Sequence, residues 1–368
     1  MILKVKEFQN ACKSILEAVD TSAASIVNET LELRAENNKL NLCVTNKEYF
    51  VNVTMNIDSS ETFVATVDAK LFLSLIAKLT TADLDLSIKD NTLVVKGNGS
   101  YKLPMIYEDG ALLELKPITI DNPTVSFVIN SDNLLSVLNF NTKEMSKGVI
   151  SRPVQKMYYL DNEGCITFTQ GACVNSFTLA EPVKVLLTQK VVKLFKLFNK
   201  SSDVQFTLGY DEVGGMLQTK ASFKNDSIEI TAILPSDPNM LTSVPVKAIR
   251  ARANNMYKYT ININRELLAE AIDRLLLFTN AKVAKTSSRF EFGVDSLTIY
   301  APDGENKETI DYTNTAIDSP YSALLDLSNL KLTLDGCSEQ YLTIHFGDDR
   351  AVVVARGTIK NVIVYECS

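Results

Sequence analysis

The chain has 368 residues, of which 46% are hydrophobic and 22% are charged, as in ordinary globular proteins with two or three cores. Its longest apolar runs, such as residues 275–278, are far shorter than the roughly 20 residues of a membrane-spanning helix, which argues against a helical membrane protein. A net charge of −7 argues against a protein that coats nucleic acid with its whole surface, although a local basic face is still permitted.

The predicted elements repeat one order along the chain: a short strand, an amphipathic helix and then a cluster of strands. The openings lie at residues 3–8, 127–132 and 260–265, and their echoes lie at residues 65–68, 185–188 and 323–326. Six half-units of about 60 residues therefore fill the chain, which predicts three similar domains that are each internally doubled. We place these domains at residues 1–121, 122–248 and 249–368.

The spacing of apolar residues predicts the type of each element. Phe8, Cys12 and Ile15 recur at helical spacing in the first half-unit, whereas residues 84–88 and 92–95 alternate as in a hairpin around a polar turn. The predicted fold class is α+β, in which each domain is a doubled β-α-β-β-β unit whose helices cover one face of antiparallel strands.

One predicted helix, residues 189–200, has lysines on one side only. Lys190, Lys193, Lys196 and Lys200 follow each other at steps of three, three and four, and no acidic residue interrupts them. Such a face is either simply solvated or a contact for a polyanion, and point charges of this kind suit phosphates better than bases. Further basic candidates on or beside the other predicted helices are Lys70, Lys78, Lys147, Arg265 and Arg274.

Residues for catalysis or metal binding are scarce. The one histidine, His345, lies in an alternating run that predicts a position at a sheet surface, and Gly214-Gly215 is typical of a turn rather than a phosphate loop. The six cysteines form no C-x-x-C pair, which favours buried, reduced thiols in a cytoplasmic protein. We therefore predict a protein that is not an enzyme and that has no metal and no cofactor.

Several segments, in order and at the right spacing, resemble the bacterial-type β sliding clamp of DNA polymerase III, including its phage relatives. These segments are residues 67–72, 100–104, 169–174, 237–239, 244–245 and the helix that begins near Leu267. The resemblance implies a ring of two chains joined head to tail, with helices around a central hole that holds double-stranded DNA without sequence preference. It also implies a DNA polymerase and a clamp loader ATPase as partners, in the cytoplasm of a bacterial cell or of a phage-infected host.

The resemblance assigns two further sets of residues. The contact between subunits would involve Leu277 and Phe278 on a helix of the third domain, and Tyr101 and Leu103 on the facing strand of the first domain. A cleft for a partner peptide would be formed by Val154, Thr169, Gly171, Cys173, Val174, Pro238, Ser243, Val244, Val362 and Val364. Ala172-Cys173 stands where the family has His-Arg, so the resemblance does not determine the peptide preference of this cleft.

Two functions remain open from the sequence. The first is a processivity clamp that encircles DNA and tethers the replicative polymerase. The alternative is a non-enzymatic, β-rich ring or structural assembly protein with the clamp fold but no role at DNA. The lysines of residues 190–200 favour the first, because a purely structural ring has no need for that charge.

Overall fold

The computed structural model describes residues 1–20, 25–145, 152–169, 171–279, 287–313, 317–347, 351–356 and 361–366. The predicted basic candidate Lys147 and the sixth cysteine, Cys367, lie outside these ranges. Within them, no helix combines the length and the apolar character needed to cross a membrane.

The first third of the chain contains ten strands and two helices within the described residues. They are β1 (Ile2–Lys4), α1 (Val5–Leu16), β2 (Thr30–Glu36), β3 (Lys39–Thr45), β4 (Tyr49–Asn56), β5 (Phe63–Asp68), α2 (Ala69–Ala77), β6 (Asp83–Lys89), β7 (Thr92–Lys96), β8 (Ser100–Pro104), β9 (Tyr107–Glu108) and β10 (Ala111–Leu112). A short 3₁₀ helix, Ile26–Glu29, precedes β2.

The second third follows the same order. Its elements are β11 (Pro123–Asn130), α3 (Ser131–Met145), β12 (Met157–Asp161), β13 (Gly164–Phe168), β14 (Ala172–Ser176), β15 (Lys184–Thr188), α4 (Gln189–Lys193), β16 (Asp203–Val213), β17 (Met216–Lys224) and β18 (Ile228–Leu234). Two 3₁₀ helices, Pro153–Lys156 and Leu194–Leu197, precede β12 and follow α4.

The last third begins with two helices that have no counterpart in the repeat. Its elements are α5 (Pro238–Thr242), α6 (Val246–Ala253), β19 (Tyr259–Asn264), α7 (Arg265–Leu276), β20 (Ser287–Phe292), β21 (Ser296–Tyr300), β22 (Lys307–Asp311), β23 (Tyr321–Asp326), α8 (Leu327–Asp335), β24 (Tyr341–Phe346), β25 (Ala351–Arg356) and β26 (Asn361–Glu366).

All six predicted openings are confirmed, because a strand runs directly into a helix at β1–α1, β5–α2, β11–α3, β15–α4, β19–α7 and β23–α8. The last residue of the strand caps the helix at five of these junctions. Asp68, Asn264 and Asp326 accept hydrogen bonds from backbone N–H groups of the first helical turn at 2.6–3.1 Å. Asn130 and Thr188 do the same at 2.8 and 3.4 Å, which satisfies donors that a helix start otherwise leaves unpaired.

The opening strands are exchanged between the two half-units of each third. β1 extends the sheet of β6, β7 and β8, while β5 extends the sheet of β2, β3 and β4. β11 and β15 are exchanged in the same way in the second third, and β19 and β23 in the last. A half-unit of about 60 residues therefore does not complete a sheet alone, which explains why the repeat is doubled.

Two antiparallel joints connect these four-stranded groups into eight-stranded sheets. Residues 228–232 of β18 pair with residues 49–53 of β4, and residues 172–175 of β14 pair with residues 361–364 of β26. In both joints the last strand of one half-unit pairs with the last strand of another. The last strands of the two remaining half-units, β8 and β22, lie at the edges of their sheets.

The chain forms two compact units, Met1–Asp132 with Lys193–Ser236 and Asn133–Val192 with Asp237–Ser368. Each unit contains one eight-stranded and one four-stranded sheet, and the first unit also contains the hairpin β9–β10. Their boundaries differ from the predicted domain boundaries near residues 121 and 248. The reason is that each eight-stranded sheet combines strands from both sides of one of these positions. The division into three domains thus stays a prediction about the repeat.

Aromatic side chains fill the cores beneath the helices. In the first unit, Phe8 of α1 meets Phe72 of α2 edge to face at 6.0 Å, and Phe223 contacts Phe195 at 4.8 Å. In the second unit, Phe292 and Phe346 stack at 4.0 Å. These buried contacts fix the helices on their sheets, so the outward sides of the helices are set by the amphipathic pattern of the sequence.

A buried ion pair fastens the segment that leads from the first third into β11. Lys220 Nζ lies 2.9 Å from Asp211 Oδ2 and donates to the carbonyl of Thr119 at 2.8 Å. Asp211 also accepts from the backbone N–H of Asn122 at 3.1 Å. The Lys220 ammonium, with help from this N–H, holds the pKa of Asp211 below its ordinary value of 3.8.

Replacement of Lys220 by Met should therefore lower the melting temperature at neutral pH, because the buried Asp211 carboxylate loses its cation. The pair stabilises the fold above pH 3.8, and this contribution disappears as the pH falls further and Asp211 takes up a proton. Calorimetry should thus give a smaller difference between wild type and variant at pH 3 than at pH 7. Lys224→Met, which breaks the exposed pair with Glu229, is the control and should change the melting temperature little at either pH.

Candidate functional site

The lysine-rich segment has the predicted burial pattern but a shorter helix. Lys190, Lys193, Lys196 and Lys200 are all exposed. The apolar residues between them, Val191, Leu194, Phe195 and Phe198, are buried. The α-helix ends at Lys193, the 3₁₀ turn ends at Leu197 and Phe198 is extended, so the prediction of one continuous helix to Lys200 is wrong. The tighter turn lies where six apolar side chains, at residues 191, 192, 194, 195, 197 and 198, are buried within eight residues.

The four lysines differ in their ionic neighbours. Lys196 forms an ion pair with Glu17, at the end of α1. Within the part of the chain that the structure describes, Lys193 and Lys200 have no acidic side chain at ion-pairing distance, and the same holds for Lys70 and Lys78, at the start and end of α2. These four ammonium groups of the first unit are exposed and form no ion pair with the described residues, although the charge of Lys200 contributes to lowering the pKa of Asp132.

The arginines of the third repeat are instead neutralised. Arg274 donates to both carboxylate oxygens of Glu308 at 2.7 and 2.6 Å and also lies 3.7 Å from Glu270. Hydrogen bonds from Arg274 to Glu308 raise the pKa of the guanidinium. Arg265 donates to the carbonyl of Glu339 at 2.9 Å and lies 3.4 Å from Glu266. These two candidates are therefore weaker phosphate contacts than the lysines of the first unit.

The residues assigned to the subunit contact divide into exposed and buried ones. Leu277 and Phe278, just after α7, are 80% and 45% exposed, which is unusual for large apolar side chains in a chain by itself. Tyr101 on β8 is 37% exposed, whereas Leu103 on the same strand is buried at 3%. Leu103 therefore packs inside its own chain. The side chains that remain available for contact with a second chain are those of Tyr101, Leu277 and Phe278.

The predicted peptide cleft lies in the second unit, and much of it is covered by the chain itself. Val154, Val174 and Val244 are buried in one cluster together with Ile249 of α6. Helix α6 packs against β14, β25 and β26, which include the backbone positions of Val362 and Val364. Thr169 and Gly171 are half-buried, and Pro238 and Ser243 are exposed. Helix α6 thus packs on the buried residues that were predicted to line the cleft.

Cys173 does not belong to this surface. Its neighbours Ala172 and Val174 face α6, whereas Cys173 is fully buried in the opposite core, with residues such as Ile261 and Leu268. Because side chains alternate along a strand, the cleft residues on β14 are Ala172 and Val174, and the assignment of Cys173 is wrong.

Helix α6 and the residue that anchors it, Arg250, were not predicted from the sequence. Arg250 donates to Asp161 at 2.8 and 2.5 Å, and the side chains are only 15% and 5% exposed. Burial alone would lower the pKa of Arg250, but the hydrogen bonds and charge of Asp161 outweigh it and raise this pKa. The spacing of Val246, Ile249 and Ala253 was the available signal for a helix with one apolar side.

His345 and the cysteines are in structural positions. His345 is half-buried, its Nδ1 lies 2.9 Å from the Thr260 hydroxyl, and burial lowers its pKa. Leu342, Ile344 and Phe346 alternate with Tyr341, Thr343 and His345 along β24 and are buried, as the predicted alternation requires. Five cysteines in the described ranges are buried free thiols, and burial raises the pKa of Cys43 to about 12.

Comparison with known proteins identifies this architecture. Residues 1–110 match the sequence profile of the DNA polymerase III beta subunit, N-terminal domain. Over its full length, the chain superposes on the DNA polymerase III subunit beta of Pseudomonas aeruginosa with a TM-score of 0.78, at 14% identity and with 99% of that chain covered. The chain has the fold of the beta sliding clamps. The resemblance predicted from the sequence is confirmed.

Further clamps are similar at the same level. The beta subunit of Thermotoga maritima superposes with a TM-score of 0.76 at 13% identity, over 100% of this chain and 98% of that one. The beta sliding clamp of Helicobacter pylori strain J99 is 24% identical over 207 residues, which are 52% of this chain and 54% of that protein. In sequence, the chain thus spans about half the length of the curated relatives that it matches, whereas the clamp fold covers all of it.

Proposed function

We propose that this protein is a DNA sliding clamp, a non-enzymatic processivity factor that encircles duplex DNA and tethers a DNA polymerase to it. The observation that carries this proposal is the clamp fold over the whole chain, together with the match of residues 1–110 to a polymerase subunit. The uncompensated lysines add a means of holding DNA, because ammonium groups attract phosphates without reading bases.

A homodimeric ring is supported by the two edge strands. Inside the chain, last strands of half-units pair antiparallel at β18–β4 and β14–β26, and the two last strands left over are β8 and β22. The same joint between β8 of one copy and β22 of another, formed twice, would close two chains head to tail. The net charges of the two edges are opposite in sign, since β8 carries Lys102 and no acid while β22 carries two acids, Glu308 and Asp311, beside one lysine, Lys307.

In such a ring, the exposed lysines of the first unit would supply the contact to DNA. Lys193, Lys70 and Lys78 form no ion pair with the described residues, and Lys200 acts on Asp132 only from beyond ion-pairing distance. Contacts of this kind hold the duplex by charge alone, so the energy changes little as the ring moves along it. Lys190, Lys196 and the neutralised Arg265 and Arg274 would be secondary contacts.

The partners follow from the same proposal. The H. pylori beta clamp has been crystallised with a DNA ligase peptide, and we propose that this chain likewise binds short segments of a polymerase and other partners. A closed ring needs an ATPase clamp loader to reach circular DNA, and the work takes place in the cytoplasm of a bacterial cell or of a phage-infected host.

The test is topological. The protein is loaded by a clamp loader onto nicked circular DNA, free protein is removed by gel filtration, and half of the sample is then linearised with a restriction enzyme. A ring should stay on the circle and leave the linear DNA through its ends. Equal retention on both forms would contradict the clamp, and absence from both would favour a structural ring without a role at DNA.

A further inference from the structure

The two joints inside the eight-stranded sheets have different outer faces, where the outer face is the side of the sheet opposite its buried core. At the β18–β4 joint this face is largely polar, because Asn52 and Glu229 lie opposite each other and Thr231 follows two positions along β18. Phe50 lies beside them and is covered by Leu115 of the segment that leads into β11. A polar face of this kind needs no helix to cover it.

The outer face of the β14–β26 joint is apolar instead. Ala172, Val174 and Val353 lie there in one cluster with Ile249 of α6, and each of the three is at most 6% exposed. Their cover is α6 itself, which packs against β14, β25 and β26 and has no counterpart in the repeat. Without this helix the joint would present an apolar patch to solvent, and such patches are typical of surfaces that bind another chain.

The body of α6 is attached to this face by few contacts. The helix has eight residues, of which Ile249 alone is buried, and Pro245 at its start provides no side-chain cap. Residues 254–256, which follow the helix, are exposed. Helices shorter than about 12 residues are marginal by themselves, and elements with few buried apolar contacts open at low free energy. This helix can therefore leave the sheet without unfolding the strands beneath it.

One ion pair opposes that opening. Arg250 of α6 donates to both carboxylate oxygens of Asp161, at the end of β12, at 2.8 and 2.5 Å. The two side chains are 15% and 5% exposed, and Nε of Arg250 also lies 3.4 Å from Glu163. A bidentate pair with little exposure is strong, and removal of one partner leaves the other charge poorly hydrated. Arg250 and Asp161 therefore act as a latch for α6.

We propose that α6 is an autoinhibitory lid, which in its closed position occupies a docking surface for partner segments on the outer face of the β14–β26 joint. A segment of another protein gains this surface only when the latch opens, and it then places an apolar side chain where Ile249 lies. The tethered helix competes at an effective concentration in about the millimolar range, so it excludes weakly binding segments. The inference rests on the proposed function, because the partners are proteins that the clamp holds at DNA, and it adds control of their access.

Opening of the lid is measured with a thiol placed beneath it. In a Val174→Cys protein, maleimide labelling and tandem mass spectrometry should find slow modification at position 174, while the neighbouring Cys173, in the opposite core, stays unmodified. Addition of Arg250→Gln should accelerate labelling at position 174 at least about tenfold, because the latch is lost. Lys247→Gln, which changes an exposed residue of the same helix, is the matched control and should leave the rate unchanged.

Three outcomes of the labelling would overturn the proposal. Modification of both positions would mean that β14 unfolds, and a rate that Arg250→Gln leaves unchanged would mean that α6 is a fixed part of the fold. Equal acceleration by Lys247→Gln would mean that the Arg250 contact is not the latch.

Occupation of the surface by a separate segment is tested with the helix itself as the probe. A fluorescein-labelled peptide of residues 244–257 is added to full-length protein whose own lid is disabled by Ile249→Asp with Arg250→Glu. Anisotropy should give at least about tenfold tighter binding to this variant than to the wild type, whose lid occupies the surface. The peptide carrying Ile249→Asp is the control and should not bind. Equal affinity for both proteins, or no binding to the variant, would overturn the proposal.

Retention on circular DNA is measured in parallel with both experiments. Retention of the wild type and the variant without the expected peptide binding refutes the lid and leaves the clamp intact. Loss of the wild type from the circle refutes the clamp. If the double variant alone is lost, the labelling experiment decides, because its proteins keep Ile249.

Discussion

A variant with Leu277→Ala and Phe278→Ala is expected to elute and scatter light as a monomer of about 40.7 kDa under conditions where the wild type is a dimer. The two side chains are 80% and 45% exposed in the single chain, so their removal leaves its core intact. Burial of a leucine or phenylalanine contributes roughly 1.5–3 kcal/mol, so truncation of both should cost roughly 3 kcal/mol per contact, about a hundredfold in affinity. A ring closed by two contacts loses this free energy twice.

The matched control is Leu267→Ala, which removes a 52% exposed leucine from α7, the helix that precedes the assigned contact. This variant should remain dimeric. Circular dichroism at 25 °C should give the wild-type spectrum for the monomeric double variant, since neither residue is buried in the single chain, whereas its melting temperature should be lower because the stabilisation by dimer formation is lost. A double variant that stays dimeric at micromolar concentration would rule out this surface as the subunit contact.

The repeat was predictable because its signals are local. Five of the six opening strands end in a residue such as Asp68 or Asn264 whose side chain caps the following helix, and the apolar spacing changes there from two to three or four. The exchange of opening strands between half-units was not predictable in this way, because the first opening strand of each third pairs with residues 73–87 positions away, such as Leu3 with Leu84.

The charged residues of the candidate site were predictable from the sequence. Which of its residues are neutralised by an ion pair or covered by another element was not. The sequence places Lys193 and Arg274 on helices equally well, yet only the fold brings Glu308 to Arg274. The same is true of the cleft. Val174 fits an open peptide site by resemblance, but the chain has an additional helix that packs upon it through Ile249. Contacts between elements distant in sequence therefore decide which of the predicted residues stay available.

Replacement of Lys193 and Lys200 by glutamine is expected to weaken DNA binding and to reduce its salt dependence. Each phosphate contact that is lost changes the slope of log K against log salt by about 0.9, so the double variant should give a slope smaller by about 1.8. The measurement is fluorescence anisotropy with a short labelled duplex between 50 and 200 mM salt. Retention on circular DNA should survive, because a closed ring holds its DNA topologically even when the charge contacts are weak.

Two further variants make this result specific to the lysine-rich segment. Lys39→Gln with Lys47→Gln removes the same charge from β3 and the turn after it, and should leave the slope unchanged because these lysines lie on the strand side of the first unit. Arg274→Gln should reduce the slope less than Lys193→Gln or Lys200→Gln alone, because the Arg274 guanidinium already donates hydrogen bonds to Glu308. An equal reduction of the slope in all three variants would mean that net charge governs binding, and the assignment of DNA contact to residues 193–200 would then be wrong.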